Sequence, residues 1–263
     1  MQKLKIYQAD AFTDKLFGGN PAALVPLSKN FLPDALMQNI AAENNLAETA
    51  FIVPTEKGFH LRWFTPGIEV RLCGHATLAT AHILYDQLGY TAPEIIFETL
   101  SGDLRVKKTD KGYEMDFPSD FSVPENGVTD LVHQVLGFSP VEIRRGKDDV
   151  MAVVSTEKEV ENLKPNFAPL KHLNARGIIV TAKGDEVDFV SRCFFPEAGI
   201  EEDPVTGSAH TVMTPYWSEK LGKTVLKAVQ ISKRRGHLTC TLAGDRVLLS
   251  GNAVTYLSGE IFV

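Results

Sequence analysis

Cysteine is scarce in this chain of 263 residues: Cys73, Cys193 and Cys240 are too few, and odd in number, for a disulfide framework. No apolar run approaches the length of a membrane-spanning helix. The opening "MQKLKIYQADAF" alternates like a strand and lacks the apolar core of a secretion signal, so a cytoplasmic location is expected. Basic charge is also short. Lys and Arg number 27 against 33 Asp and Glu, a net charge of −6, and "KRR" at 233–235 is cut off by Gly236. A nucleic-acid surface would need a basic stripe, so no nucleic-acid partner is expected. His-Glu-x-x-His and Cys-x-x-Cys pairs are missing, and His75, His82 and His210 do not fall at ligand spacing. No metal is therefore expected. Glycine-rich phosphate loops are missing too, which leaves nicotinamide and nucleotide cofactors unsupported.

Apolar residues at 44% and charged residues at 23% fit a globular protein long enough for one large or two ordinary domains. Short strand-like runs dominate, at 4–8, 22–26, 50–54, 60–64, 94–98, 104–107, 150–154, 177–181, 187–195, 238–242, 246–249 and 253–263. Amphipathic periodicity predicts helices over 33–43 and 128–136. Two further helices, over 74–89 and 207–222, each run from glycine to glycine and close on Leu-Gly.

Those two helices and their approaches repeat. "RWFTP" (62–66) matches "RCFFP" (192–196), Gly-Ile-Glu follows at 67–69 and 199–201, and "GHA" (74–76) matches "GSA" (207–209). The chain therefore reads as two similar halves, each wrapping strands around one buried helix. If the halves face each other, two helix N-termini converge. Their unpaired N–H groups and positive dipole ends would then hold a carboxylate between 74–76 and 207–209.

Several stretches resemble one family. "DAFTDKLFGGNPAALV", "AAENNLAETAFIVP", "RWFTPGIEVRLCGHATLATA" and "GIEEDPVTGSAH" are similar to the phenazine-biosynthesis isomerase, or PhzF-like, family, as are "ISKRRGHL" and "GNAVTYLSGEI" near the end. The resemblance implies an α+β fold like that of diaminopimelate epimerase: two pseudo-symmetric domains, each a barrel-like mixed sheet around a central helix. We expect one half over 1–117 plus 252–263 and the other over 118–251. It also implies a cofactor-independent isomerase acting on a small carboxylate-bearing substrate, with a homodimer expected from relatives.

Residue by residue, the resemblance places the acid/base carboxylate at Glu48, supported by His75 and Asp203. It places substrate contacts at Asn20, Gly74, Gly207 and Ser208. Each has a plainer reading: Glu48 as a strand end, Asp203 before Pro204 as a cap or turn residue, His75 as a structural histidine. Ala47 stands where serine is more usual, which removes one possible hydroxyl neighbour. Diaminopimelate epimerase uses a cysteine before each helix-start glycine. Here the first is Cys73 but the second is Thr206, and a hydroxyl cannot replace a thiolate base near neutral pH. Cys73 is thus expected to line the site as a small packing residue. The expected reaction is a proton shift within one unsaturated acid. An amino-acid epimerase or racemase, or a silent small-acid-binding protein, are the alternatives.

Overall fold

The computed structural model describes residues 1–196 and 199–263. It divides into two compact units, Met1–Asp116 with Ser250–Val263, and Phe117–Leu249.

The first unit contains β1 (Lys3–Ala11), β2 (Asn20–Pro26), α1 (Asp34–Asn44), β3 (Glu48–Pro54), β4 (Phe59–Phe64), β5 (Glu69–Val70), α2 (Gly74–Asp86), β6 (Glu94–Thr99), β7 (Gly102–Thr109) and most of β8 (Gly112–Pro118). The second runs through β9 (Val123–Pro124), α3 (Thr129–Leu136), β10 (Glu142–Arg145), β11 (Asp149–Val153), α4 (Glu157–Glu161), β12 (Gly177–Lys183), β13 (Phe189–Phe195), β14 (Ile200–Asp203), α5 (Gly207–Leu221), β15 (Val225–Gln230), β16 (Gly236–Ala243) and β17 (Arg246–Gly251). The chain then returns to the first unit as β18 (Ala253–Phe262), which pairs antiparallel with β1.

Strand pairing carries the internal repeat. In the first unit β2–β3 is parallel, β3–β4 and β4–β5 antiparallel, β4–β6 parallel and β6–β7 antiparallel. In the second, β11–β12, β12–β13, β13–β14, β13–β15 and β15–β16 follow the same sequence of directions. Each parallel step needs a crossover, and α2 and α5 supply the equivalent ones.

The two Arg motifs make equivalent ion pairs. Arg62 grips Glu69 through Nε–Oε1 and Nη2–Oε2, both at 2.7 Å, and Arg192 grips Glu202 at 2.7 and 2.9 Å. The partner in the second unit is Glu202, not the Glu201 of the Gly-Ile-Glu match. The second approach is longer, and the tripeptide match lies one residue out of structural register.

α2 is buried continuously from His75 to Tyr85 because strands pack around it, chiefly β1, β2, β3 and β18. Burying Leu78, Ile83 and Leu84 stabilises the unit by roughly 1.5–3 kcal/mol per side chain. Polar residues are not confined to the helix start, since Thr77, Thr80 and His82 are buried along it as well. Thr77 Oγ1 donates back to the Cys73 carbonyl at 2.5 Å, and His82 contacts Tyr113 Oη at 3.1 Å and Thr255 Oγ1 at 2.9 Å. α1 packs Met37, Ile40 and Ala41 with Phe51 and Phe64, so the inner strands of the sheet are buried on both faces. This is why "AALV" and "AFIV" read as unbroken apolar runs. In α5, Pro215 cannot donate to the carbonyl of Thr211, which instead accepts from the Asp120 amide at 3.1 Å.

The turn into β2 depends on Gly19. Its φ is +57°, and a Cβ there would lie 2.0 Å from the Ala11 carbonyl oxygen. We predict that Gly19→Ala destabilises the protein by on the order of 2–3 kcal/mol, read as a lower urea midpoint. An unchanged midpoint would show that this turn is not constrained.

Candidate active site

Two strand starts and one helix start build the cluster in the first unit. β2 and β3 are parallel neighbours, with Ala22 opposite Glu48, so Asn20 and Glu48 begin their strands at the same end of the sheet. α1 delivers the chain to Glu48 by ending in Asn45, whose left-handed backbone (φ 48°) stops the helix. Asn44 then fastens the start of β3 through Nδ2 to Thr49 Oγ1 at 3.0 Å. Ahead of β2, buried Asp10 accepts from the Phe17 amide at 2.8 Å and pins the loop leading to Asn20.

α2 begins beside these strands. Cys73 is its extended N-cap, and His75 sits in the first turn. His75 Nε2 lies 2.9 Å from Glu48 Oε2, while Nδ1 lies 3.1 Å from Asn20 Nδ2. Cys73 Sγ is 3.6 and 4.0 Å from the two ring nitrogens. All four residues are buried: Glu48 is 8% exposed, His75 5%, Cys73 6% and Asn20 fully enclosed. Burial raises the Cys73 thiol to about 11, helped by the charge of Glu48, so at neutral pH it stays protonated. Burial also disfavours a charged His75 ring. Cys73 where it is ionised, and the Glu48 carboxylate, outweigh it and shift the ring's pKa well above its ordinary value. Among the described residues Glu48, Cys73 and His75 form the one group whose possible ligand atoms all lie within 4.8 Å of one another.

The second unit carries a different set at the equivalent place. Thr206 is the extended N-cap of α5, where Cys73 stands in α2. Its hydroxyl donates to Asp203 Oδ2 at 2.6 Å, and its amide donates to buried Gln230 Oε1 at 2.9 Å. Asp203 thus holds the cap residue of α5. Ser208 Oγ accepts from Arg176 Nη2 at 2.9 Å, and Arg176 is forked onto buried Asp149. Sequence reasoning missed Gln230, Arg176 and Asp149, whose partners lie far away along the chain.

Register identifies what replaces Glu48 there. Phe51 faces Arg62 in β3–β4 and Val180 faces Arg192 in β12–β13. Three residues earlier in each strand stand Glu48 and Gly177. A Cβ at Gly177 would already meet the Phe194 carbonyl at 2.2 Å and the Phe195 ring at 2.3 Å, so no larger residue fits. The carboxylate belongs to one half of the repeat.

His82 and His210 do not join a ligand cluster. His210 Nδ1 instead lies 2.8 Å from the Thr206 carbonyl, the counterpart of the Thr77 bond in α2. A separate cavity of about 330 Å³, lined by Pro215, Tyr216 and Gly222 among others, contains none of the expected site residues.

A sequence model of the phenazine biosynthesis-like proteins matches residues 9–259. The chain belongs to this family. An uncharacterized isomerase of Pseudomonas aeruginosa is 48% identical over 260 residues, covering 98% of this chain and 99% of that protein. The crystal structure of a PhzF-family phenazine biosynthesis protein of Enterococcus faecalis superposes with a TM-score of 0.93 at 43% identity, covering 100% of both chains. A hydroxyproline epimerase of Agrobacterium vitis superposes at 0.60 with 10% identity, covering 98% of this chain and 92% of that one, a likeness of fold alone. The fold is diaminopimelate epimerase-like, and by class the chain is an isomerase. Among the described residues no helix is long and apolar enough to cross a membrane.

Burial lowers the His210 ring to about 4, against an ordinary 6.5. Below pH ~6.5 the unfolded chain therefore takes up a proton that the folded chain refuses. The contribution is whole above that pH and is lost as pH falls toward 4, by on the order of 3 kcal/mol. His210→Asn keeps a donor for the Thr206 carbonyl, and we predict a flatter fall in denaturation free energy between pH 6.5 and 4. The same slope in both proteins would contradict this.

Proposed function

We propose that this isomerase shifts a proton within a small unsaturated carboxylic acid, without a cofactor, with Glu48 as the acid/base. The observation that carries the reading is a buried carboxylate, 2.9 Å from a buried imidazole, in only one half of a duplicated fold. Glu48 removes a proton from a carbon made acidic by the conjugated acid and returns it at another carbon of the same frame. His75, beside Glu48, serves as donor to substrate oxygen. Asn20, Cys73 and Gly74 line this reading's substrate site, and Asp203, Gly207 and Ser208 are assigned roles in orienting the substrate.

A proton shift by a single base suits this composition better than inversion by two thiols. At the second helix start the place of a thiol is taken by Thr206, whose hydroxyl is engaged by Asp203. Gly177 stands at the place equivalent to Glu48 and offers no second carboxylate.

The test is proton exchange followed by NMR in deuterium oxide over a panel of small unsaturated acids. We predict that a substrate takes up deuterium with a double-bond shift, and that Glu48→Gln lowers the rate by on the order of 10²–10⁴. Near-normal turnover in a folded Glu48→Gln protein would remove Glu48 from the mechanism. Cys73→Ser should cost at most about tenfold, since protonated Cys73 moves no proton in this scheme. A collapse as deep as that of Glu48→Gln would instead make the thiol a base. Inversion without a double-bond shift would make the enzyme an epimerase.

A further inference from the structure

We infer that Cys73, His75 and Glu48 form a capture site for a single thiophilic divalent cation of the zinc class. The three donors are a thiol, an imidazole and a carboxylate, the side chains that zinc takes in sites keeping one open position. They are already gathered. Cys73 and His75 lie two residues apart at the start of α2, Glu48 stands on the adjoining strand, and all three are at least nine-tenths buried. Sequence spacing hides the set, because Glu48 lies 25 residues before Cys73 and belongs to no metal motif.

Distances decide whether one ion can reach all three. Zinc bonds of about 2.3 Å to sulfur and 2.0–2.2 Å to nitrogen and oxygen place tetrahedral donors roughly 3.3–3.6 Å apart. Here His75 Nε2 is 2.9 Å from Glu48 Oε2 and 4.0 Å from Cys73 Sγ, and the whole set lies within 4.8 Å. Cys73 Sγ stands nearer Nδ1, at 3.6 Å, so the cysteine side chain has to turn toward Nε2 for one ion to reach both. Asn20 lies 3.1 Å from Nδ1 on the other side of the ring, and an amide turned to present Oδ1 would accept the Nδ1 proton, as outer partners of ligating histidines do.

Binding replaces protons with metal. The Cys73 thiol proton leaves to solvent, and His75 binds as the neutral ring, with the Nε2 lone pair on the metal and its one proton on Nδ1. Sulfur and nitrogen each donate a lone pair to the ion, and a Glu48 oxygen and one water complete the shell. The water-filled fourth position would accept a substrate carboxylate, but the base would be engaged by the ion. On the proposed role of Glu48, such cations are therefore inhibitors competing with proton transfer. The second unit cannot form the same site, because the equivalent residues are Thr206, Ser208 and Gly177.

The test uses cobalt(II), added without oxygen to the metal-stripped full-length protein, because a cobalt–thiolate bond has its own near-ultraviolet charge-transfer band. One cobalt per chain should produce that band with tetrahedral visible absorption, and zinc should displace it, following the order of divalent affinities. Cys73→Ala should abolish the band, whereas Cys193→Ala and Cys240→Ala should retain it. Glu48→Gln should keep the band but weaken binding by at least roughly tenfold, the loss seen even when outer partners are removed. Should Cys73→Ala fail to fold, Cys73→Ser gives the same readout.

No band in folded wild-type protein, or a band that survives loss of Cys73, overturns the proposal. The readout does not depend on turnover. A cobalt band together with full activity in Glu48→Gln would sink the isomerase role of Glu48 and leave the metal site standing. A missing band with activity lost in Glu48→Gln would do the reverse.

Discussion

The central constraint is a helix enclosed by strands. A helix surrounded on all sides must satisfy its polar groups locally or through the sheet. α2 and α5 do so with the same device four residues apart: Thr77 Oγ1 to the Cys73 carbonyl, and His210 Nδ1 to that of Thr206. Neither helix has a side-chain cap on its first turn. An uncapped helix start costs stability in an ordinary fold.

Duplication explains the frame, and divergence explains the site. Pairing directions, the Arg–Glu forks and the N-cap positions recur in both units. The side chains that differ are those at the helix starts and at the head of the strand before each Arg strand. Glu48, Cys73 and His75 in one unit correspond to Gly177, Thr206 and Ser208 in the other. Arg176 and Asp149 reinforce the contrast: the second unit fixes its serine hydroxyl with an exposed arginine that is itself forked onto buried Asp149. One unit holds groups that can exchange a proton, the other hydroxyls fixed by Asp203 and Arg176.

The sequence revealed the frame more readily than the contacts. α1 announced itself through amphipathic periodicity, α2 and α5 through apolar density and glycine ends, and the inner strands through unbroken apolar runs. β8, with "YEMDF", and β15, with "VLKAVQ", were passed over because charged and polar residues alternate along them. Half-buried strands of that kind resemble loops in a scan for apolar runs. The Gly-Ile-Glu match misled by one residue, because only the fork onto Glu202 reveals which glutamate is equivalent. Asn20 and Glu48 came from family motifs. Their meeting with His75 follows from parallel pairing of β2 and β3, which local patterns do not encode.

The energetics of the cluster separate its structural and chemical roles. Taking a carboxylate and an imidazolium out of water costs several kcal/mol per ion, and their attraction at 2.9 Å often does no more than offset it. Apolar residues of similar volume would hold β3 against α2 at least as well. The raised His75 ring therefore gives the fold little net stability, and what it gives is fully present only below about pH 6.5. That part is lost as pH rises through the higher folded value. Thr206 shows the cheaper solution in the same fold: a neutral hydroxyl bonded to Asp203 at the equivalent helix start. A duplicated frame that holds hydroxyls at one start through Asp203 and Arg176, and gathers a thiol, an imidazole and a carboxylate at the other, has the arrangement expected if the second set serves the proposed proton transfer.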